Sequence, residues 1–242
     1  MAWAAEMSAP GDVYVVDIET VGVSWSSLDD KTREYLLSKA SSDGEREAVP
    51  RRLGLSPGTG RIIVIGMLNV TAQKGGMFVE GRNKGWCEGG PQGFMRFDGD
   101  EREMLTEFWR MIGGHNAARV VTYNGRGFDG PYLMLRSAML GVTPSRNLVG
   151  YRFAVSPHCD LAEVLGFQGA VRTQFSLDYW CRRFGITSPK EQGLDGSQVQ
   201  TVYEAGGLND IVDYCARDVV ATAELYHRLE DTLIPLFETR AR

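Results

Sequence analysis

Long apolar runs are missing from this chain: nowhere in its 242 residues does a stretch approach the length of a membrane span. No charged-then-apolar signal segment opens it either, so no membrane association is expected. Cysteine is scarce. Cys87, Cys159, Cys181 and Cys215 are scattered with no pair at zinc-ligand spacing, which predicts reduced thiols in a cytoplasmic protein. Positive charge is not in excess, and the net charge of −5 argues against a protein that coats nucleic acid along its length. It leaves room for an enzyme that grips a few phosphates and carries its own cluster of acids. No repeat period is present. With 43% hydrophobic and 24% charged residues, what remains is an ordinary globular composition.

Residues 1–12 read as a flexible leader, and 13–242 as a single domain. Within it, residues 13–20 (Val-Tyr-Val-Val-Asp-Ile-Glu-Thr) and 61–70 have the β-branched, apolar composition of buried strands. Between them lies an excursion, residues 21–60, with a helix predicted over 28–40 and a polar, mobile segment after it. Residues 76–80 are placed beside the second strand, and 81–100 as a hairpin or irregular loop. Helices are predicted over 101–112, 130–140, 176–184, 196–205 and 208–230, a short strand over 119–123, and no definite element over 159–165. Strands first and then strands mixed with helices predict an α/β fold, a mixed central sheet flanked by helices.

Four acids stand out. Asp17 and Glu19 are two apart on a strand and therefore share a face. They are either solvated acids at a strand end or charges that need a cation or hydrogen bonds to compensate them. Asp218 lies about 20° from Ile211 on the last helix, inside the apolar stripe, with Tyr214 one turn before it. A carboxylate there is a buried ion-pair partner or a ligand. Asp129 follows a loop with two glycines and precedes a helix, where N-capping is the plain alternative. Convergent carboxylates suit hard divalent cations such as Mg²⁺ or Mn²⁺.

Taken in order, Asp17-Ile18-Glu19-Thr20, then Tyr123-Asn124 with Phe128-Asp129, then Tyr214 four residues before Asp218, resemble the three motifs of the DEDD 3′–5′ exonucleases. The chain looks most like the proofreading-exonuclease domain of family B DNA polymerases and its stand-alone relatives. A position five residues before the final acid holds Asp213 and not histidine, so the tyrosine subclass is the match. The resemblance implies a ribonuclease H-like fold and a metal-dependent 3′–5′ exonuclease acting on single-stranded nucleic acid, DNA favoured. Two divalent cations, Mg²⁺ or Mn²⁺, are implied. Asp17 would bridge both, Glu19 and Asp218 would hold the ion carrying the nucleophilic water, and Asp129 would support the second. Tyr214 would orient that water; with a phenol titrating near 10 it is a positioning donor more than a base. Thr20, Asn124 and Phe128 would contact the terminal nucleotides, Phe128 by stacking. Arg126 would either hold a phosphate or be a solvated loop arginine. Lys190 is similarly placed. An exoribonuclease that trims RNA and a non-catalytic nucleic-acid-binding module on the same fold are the competing readings. No protein partner is indicated.

Overall fold

A computed structural model of the chain describes residues 11–113 and 119–238. Most of the expected leader, residues 1–10, lies outside that range, as do Gly114 and His115. Asp12 belongs to the folded body: it is buried, and its Oδ2 accepts a hydrogen bond from Asn69 Nδ2 at 2.8 Å.

In chain order the elements are β1 (Val13–Gly22), α1 (Asp30–Ser38), α2 (Asp43–Ala48), β2 (Gly60–Asn69) and β3 (Lys74–Glu80). There follow β4 (Gly85–Cys87), β5 (Met95–Gly99), α3 (Glu101–Gly113), β6 (Arg119–Thr122), α4 (Asp129–Met139) and β7 (His158–Asp160). The last are α5 (Leu161–Leu165), α6 (Leu177–Phe184), α7 (Val199–Glu204), α8 (Leu208–Leu229) and α9 (Pro235–Glu238). Capping chemistry sets several helix starts: Asp29, Ser42, Asp160 and Ser176 each accept from a main-chain N–H in the first turn of α1, α2, α5 and α6.

The seven strands form one mixed sheet in the order β4-β5-β3-β2-β1-β6-β7. β1 is an interior strand, antiparallel to β2 and parallel to β6. Residues 81–100 resolve into a hairpin, β4 antiparallel to β5, with β5 parallel to β3. Helices cover both faces. Val15, Ile63 and Val121 pack with Ile211, Cys215 and Leu225 of α8. Tyr14, Val16 and Ile18 pack with Phe108 of α3 and Leu133 of α4 on the opposite side. This is the mixed, helix-flanked α/β sheet that the pattern of elements predicts.

The excursion carries more structure than its composition predicts. In residues 41–60, α2 leads into a 3₁₀ turn, Val49–Leu55, whose Leu53 is buried. Residues 159–165, indeterminate by periodicity, divide between the last strand and α5 because Asp160 ends the one and caps the other.

Candidate active site

Strand alternation places Val13, Val15, Asp17 and Glu19 on the face of β1 that meets α8, since Val15 packs in that layer while Tyr14, Val16 and Ile18 pack in the other. β1 and β6 pair only from Val13 to Val15. Farther along, the Ile18 N–H donates to Asp129 Oδ1 at 3.1 Å, so a main-chain donor that β6 does not satisfy fixes the third acid. The residue in the N-cap position of α4 is Phe128, with no side-chain cap. Asp129 spends its oxygen on β1 and does not cap its own helix.

The fourth acid arrives on α8. Gly66 pairs with Asp17 across the β1–β2 ladder, and a Cβ on Gly66 would stand 2.7 Å from Val219 Cγ2 and 2.9 Å from Cys215 Sγ. Only a residue without a side chain lets α8 lie this close to the sheet. Asp218 is thereby brought to Asp17 and Glu19, half-buried, on the helix whose stripe of Ile211, Cys215, Thr222, Leu225 and Leu229 is buried as its periodicity predicts. Tyr214, also buried, donates its phenol proton to Asp218.

The electrostatics are those of like charges with little to offset them. Asp17 is pushed well above the carboxylate range, first by burial and then by Asp129, Asp218 and Glu19. Glu19 is raised by burial and by Asp218 and Asp129. Burial also lifts Asp129, to about 7, and Asp218, to about 6. The Tyr214 hydrogen bond, then Arg217 and Lys190, temper Asp218. Asp17, Glu19 and the Cys215 sulfur have atoms within 4.8 Å of one another; Asp129 and Asp218 stand outside that tight set. Burial holds the Cys215 thiol protonated, and it donates to Asp17 Oδ2 at 3.6 Å, so it is a neighbour of the acids and not a soft ligand. The donor set is therefore carboxylate oxygen. That chemistry fits Mg²⁺ or Mn²⁺, and a dication would relieve the repulsion that otherwise keeps protons on the cluster.

Two clefts flank the acids. One, of about 530 Å³, is bounded by Glu19, Thr20, Phe128 and the 3₁₀ turn of the excursion. The other, of about 390 Å³, is bounded by Asp218, Tyr214, Asn124, Lys190 and Phe175. Thus the expected nucleotide-contacting residues divide, with Thr20 and Phe128 on one side and Asn124 on the other. The Thr20 hydroxyl proton is committed to Gly54 O at 2.8 Å. Phe128 is half-buried with its ring 5.3 Å from that of Tyr132. Asn124 is exposed in the left-handed region at φ 62°, which asparagine tolerates. Lys190 pairs with Asp195 at 2.8 Å.

Arg126 corrects both of its expected roles. It is buried, its guanidinium donates to the carbonyls of Val149, Tyr151, Ala154 and His158, and its Nε lies 2.7 Å from Glu163 Oε2. Neither a phosphate hold nor a solvated loop side chain describes it: it braces the 149–158 segment. Asp160, which the sequence reading passes over, does comparable work. Its carboxylate accepts from the N–H groups of Asn124 and Arg126 at 2.8 and 2.9 Å, fixing the loop that leads to Asp129. The available signal is Asp160 with Glu163 three residues on, an N-terminal helix signature.

Residues 92–236, well over half the chain and including Asp129, Tyr214 and Asp218, match the family described as "Predicted 3'-5' exonuclease related to the exonuclease domain of PolB". Over 139 residues the chain is 32% identical to a DNA polymerase of Desulfurococcus sp. (strain Tok), covering 52% of this chain and 18% of that protein. A DNA polymerase of Thermococcus sp. (strain GE8) is likewise 32% identical over 139 residues, 8% of its length. The chain thus corresponds to less than a fifth of these curated relatives. In three dimensions it is similar to the family B DNA polymerase from the hyperthermophilic archaeon Pyrobaculum calidifontis, with a TM-score of 0.59 and 19% identity over 94% of this chain and 26% of that one. The fold is that of the polymerase's exonuclease domain, ribonuclease H-like.

Proposed function

This chain belongs to the family of predicted 3′–5′ exonucleases related to the exonuclease domain of PolB, and we propose that it removes nucleotides one at a time from the 3′ end of single-stranded nucleic acid, DNA by preference. The observation that carries the proposal is the convergence of Asp17, Glu19, Asp129 and Asp218 from β1, α4 and α8 into one cluster of like charges. Asp17, Glu19, Asp129 and Asp218 would hold two divalent cations, Mg²⁺ or Mn²⁺. Such ions supply Lewis acidity toward the phosphate and make water a better nucleophile near neutral pH. In the hydrolysis the water oxygen bonds to phosphorus, the bond from phosphorus to the 3′ oxygen of the preceding nucleotide breaks, and a nucleoside 5′-monophosphate leaves.

Each protein group has a part that its environment supports. Ile18 N–H and the Asp160-held loop fix Asp129, and Gly66 sets the approach of Asp218. Burial and the neighbouring carboxylates raise Tyr214 further above neutrality, so its phenol stays protonated and acts by donating a hydrogen bond. Phe128 offers an apolar face beside Glu19, where a base can stack. The matched relatives are named DNA polymerases, which favours DNA over RNA. Four unpaired cysteines fit a reducing, cytoplasmic setting.

Matched 5′-labelled DNA and RNA single strands test this. With Mg²⁺ or Mn²⁺ the DNA is expected to shorten stepwise to a ladder, and with EDTA to remain intact. RNA shortened faster than DNA would overturn the substrate preference, and no shortening of either strand would overturn the activity.

A further inference from the structure

The excursion between β1 and β2 builds one wall of the 530 Å³ cleft, and its exposed arginines face that cleft: Arg51 and Arg52 both border it, together with Leu55. Among the described residues neither arginine has an acidic partner within ion-pair distance. On a chain of net charge −5, two exposed guanidiniums that border the same cleft as Glu19 are placed to receive an anionic occupant. Hydrogen bonds and close packing hold the wall that carries them. Leu53 O accepts from Thr59 Oγ1 at 2.8 Å, and Gly54 O accepts from both Thr20 Oγ1 and the Tyr132 hydroxyl at 2.8 and 3.0 Å. A Cβ on Gly60 would stand 2.2 Å from that hydroxyl, and one on Gly22 2.6 Å from Leu53 Cβ. The opposite wall is tied to the same strand, since Gly22 N–H donates to Gln200 Oε1 at 2.8 Å. Both walls are thus hydrogen-bonded to β1, the strand that bears Asp17 and Glu19.

From these contacts we infer that Arg51 and Arg52 bind phosphates of the nucleic-acid strand adjoining the scissile bond, making the excursion a fixed guide for the strand. The inference rests on the exonuclease reading above. Guanidinium forks match phosphate oxygens and displace condensed counterions. The exposed Leu55 side chain, Ile18 and Phe128 give the same cleft an apolar lining suited to bases and sugars.

Binding of a fluorescent single-stranded dT oligonucleotide with 3′-terminal phosphorothioate linkages, followed by anisotropy from 50 to 200 mM salt, tests it. For R51Q/R52Q the dependence of log affinity on log salt is expected to be shallower by about 1.4, from about 0.7 per phosphate contact on single strands, with affinity on the order of tenfold weaker at low salt. R51K/R52K is expected to restore the slope, and R228Q, on the exposed face of α8, to keep that of the wild type. If the wild type binds and shortens strands while R51Q/R52Q matches its affinity and slope, the arginine assignment is wrong and the exonuclease reading stands. If R228Q loses as much slope as R51Q/R52Q, diffuse surface charge explains the effect and the assignment is again wrong. A wild type that neither binds nor shortens a strand removes the exonuclease reading, and the inference with it.

Discussion

Tyr214 keeps its proton at any pH where the enzyme would work, because burial and three neighbouring carboxylates all oppose a phenolate. Its contribution is a donated hydrogen bond, and removing it leaves the ring's packing intact. Tyr214→Phe is therefore expected to lower the turnover rate roughly tenfold to a hundredfold, the scale of losing an outer positioning contact, with thermal stability little changed; single-turnover rates and melting curves check both. Arg126 behaves oppositely. Four carbonyls and Glu163 depend on one buried guanidinium, so Arg126→Gln is expected to destabilise the fold by about 3 kcal/mol, measured by urea denaturation. The salt dependence of strand binding should not change, as it would if Arg126 held a phosphate. Nothing in the local sequence separates Arg126 from a solvated loop arginine. Its acceptors lie 23 to 32 residues away, in a segment without periodic signal.

Among elements, β1 and α8 are the most legible in the sequence. Alternation on a strand and the 3.6-residue stripe of a long helix are set by local geometry, so the shared face of Asp17 and Glu19 and the inward position of Asp218 follow from residue spacing alone. Asp129 is less legible. Capping is the local preference, but the unpaired Ile18 N–H, 111 residues away, offers a stronger claim on its oxygen. The 3₁₀ turn of the excursion has no legible pattern at all, because what holds it is main-chain carbonyls meeting Thr20, Thr59 and Tyr132. The contact between the two most legible elements is also vulnerable. Gly66→Ala places a methyl against Val219 and Cys215, and is expected to cost about 1–3 kcal/mol by overpacking. Because α8 carries Asp218, nuclease rate per folded molecule should fall as well. A variant as stable and as active as the wild type would contradict the close approach.

For the molecule as a whole, the acid cluster links stability to pH and to divalent cations. Asp129 titrates at about 7 in the fold against 3.8 in an unperturbed chain, and Asp218 at about 6. Between the unfolded and folded values the native state holds protons that the unfolded state has released. Stability from these groups is thus fully present below about 4 and is lost as pH rises to about 7. The cation-free protein is therefore expected to melt at lower temperature at pH 8 than at pH 5.5. Mn²⁺ should raise the melting temperature more at pH 8, where fewer protons need be displaced. A Mn²⁺ effect that is equal at both pH values would contradict it.

We propose that Asp218, carried in on α8, completes a carboxylate site that shortens nucleic acid from its 3′ end. The most direct test is the rate at which a 5′-labelled single strand is shortened in Mg²⁺ by wild type and by Asp218→Ala, each confirmed folded by circular dichroism. A stepwise ladder from the wild type, with loss of at least about 100-fold in rate for Asp218→Ala, is the predicted result. Shortening by Asp218→Ala at the wild-type rate would contradict it.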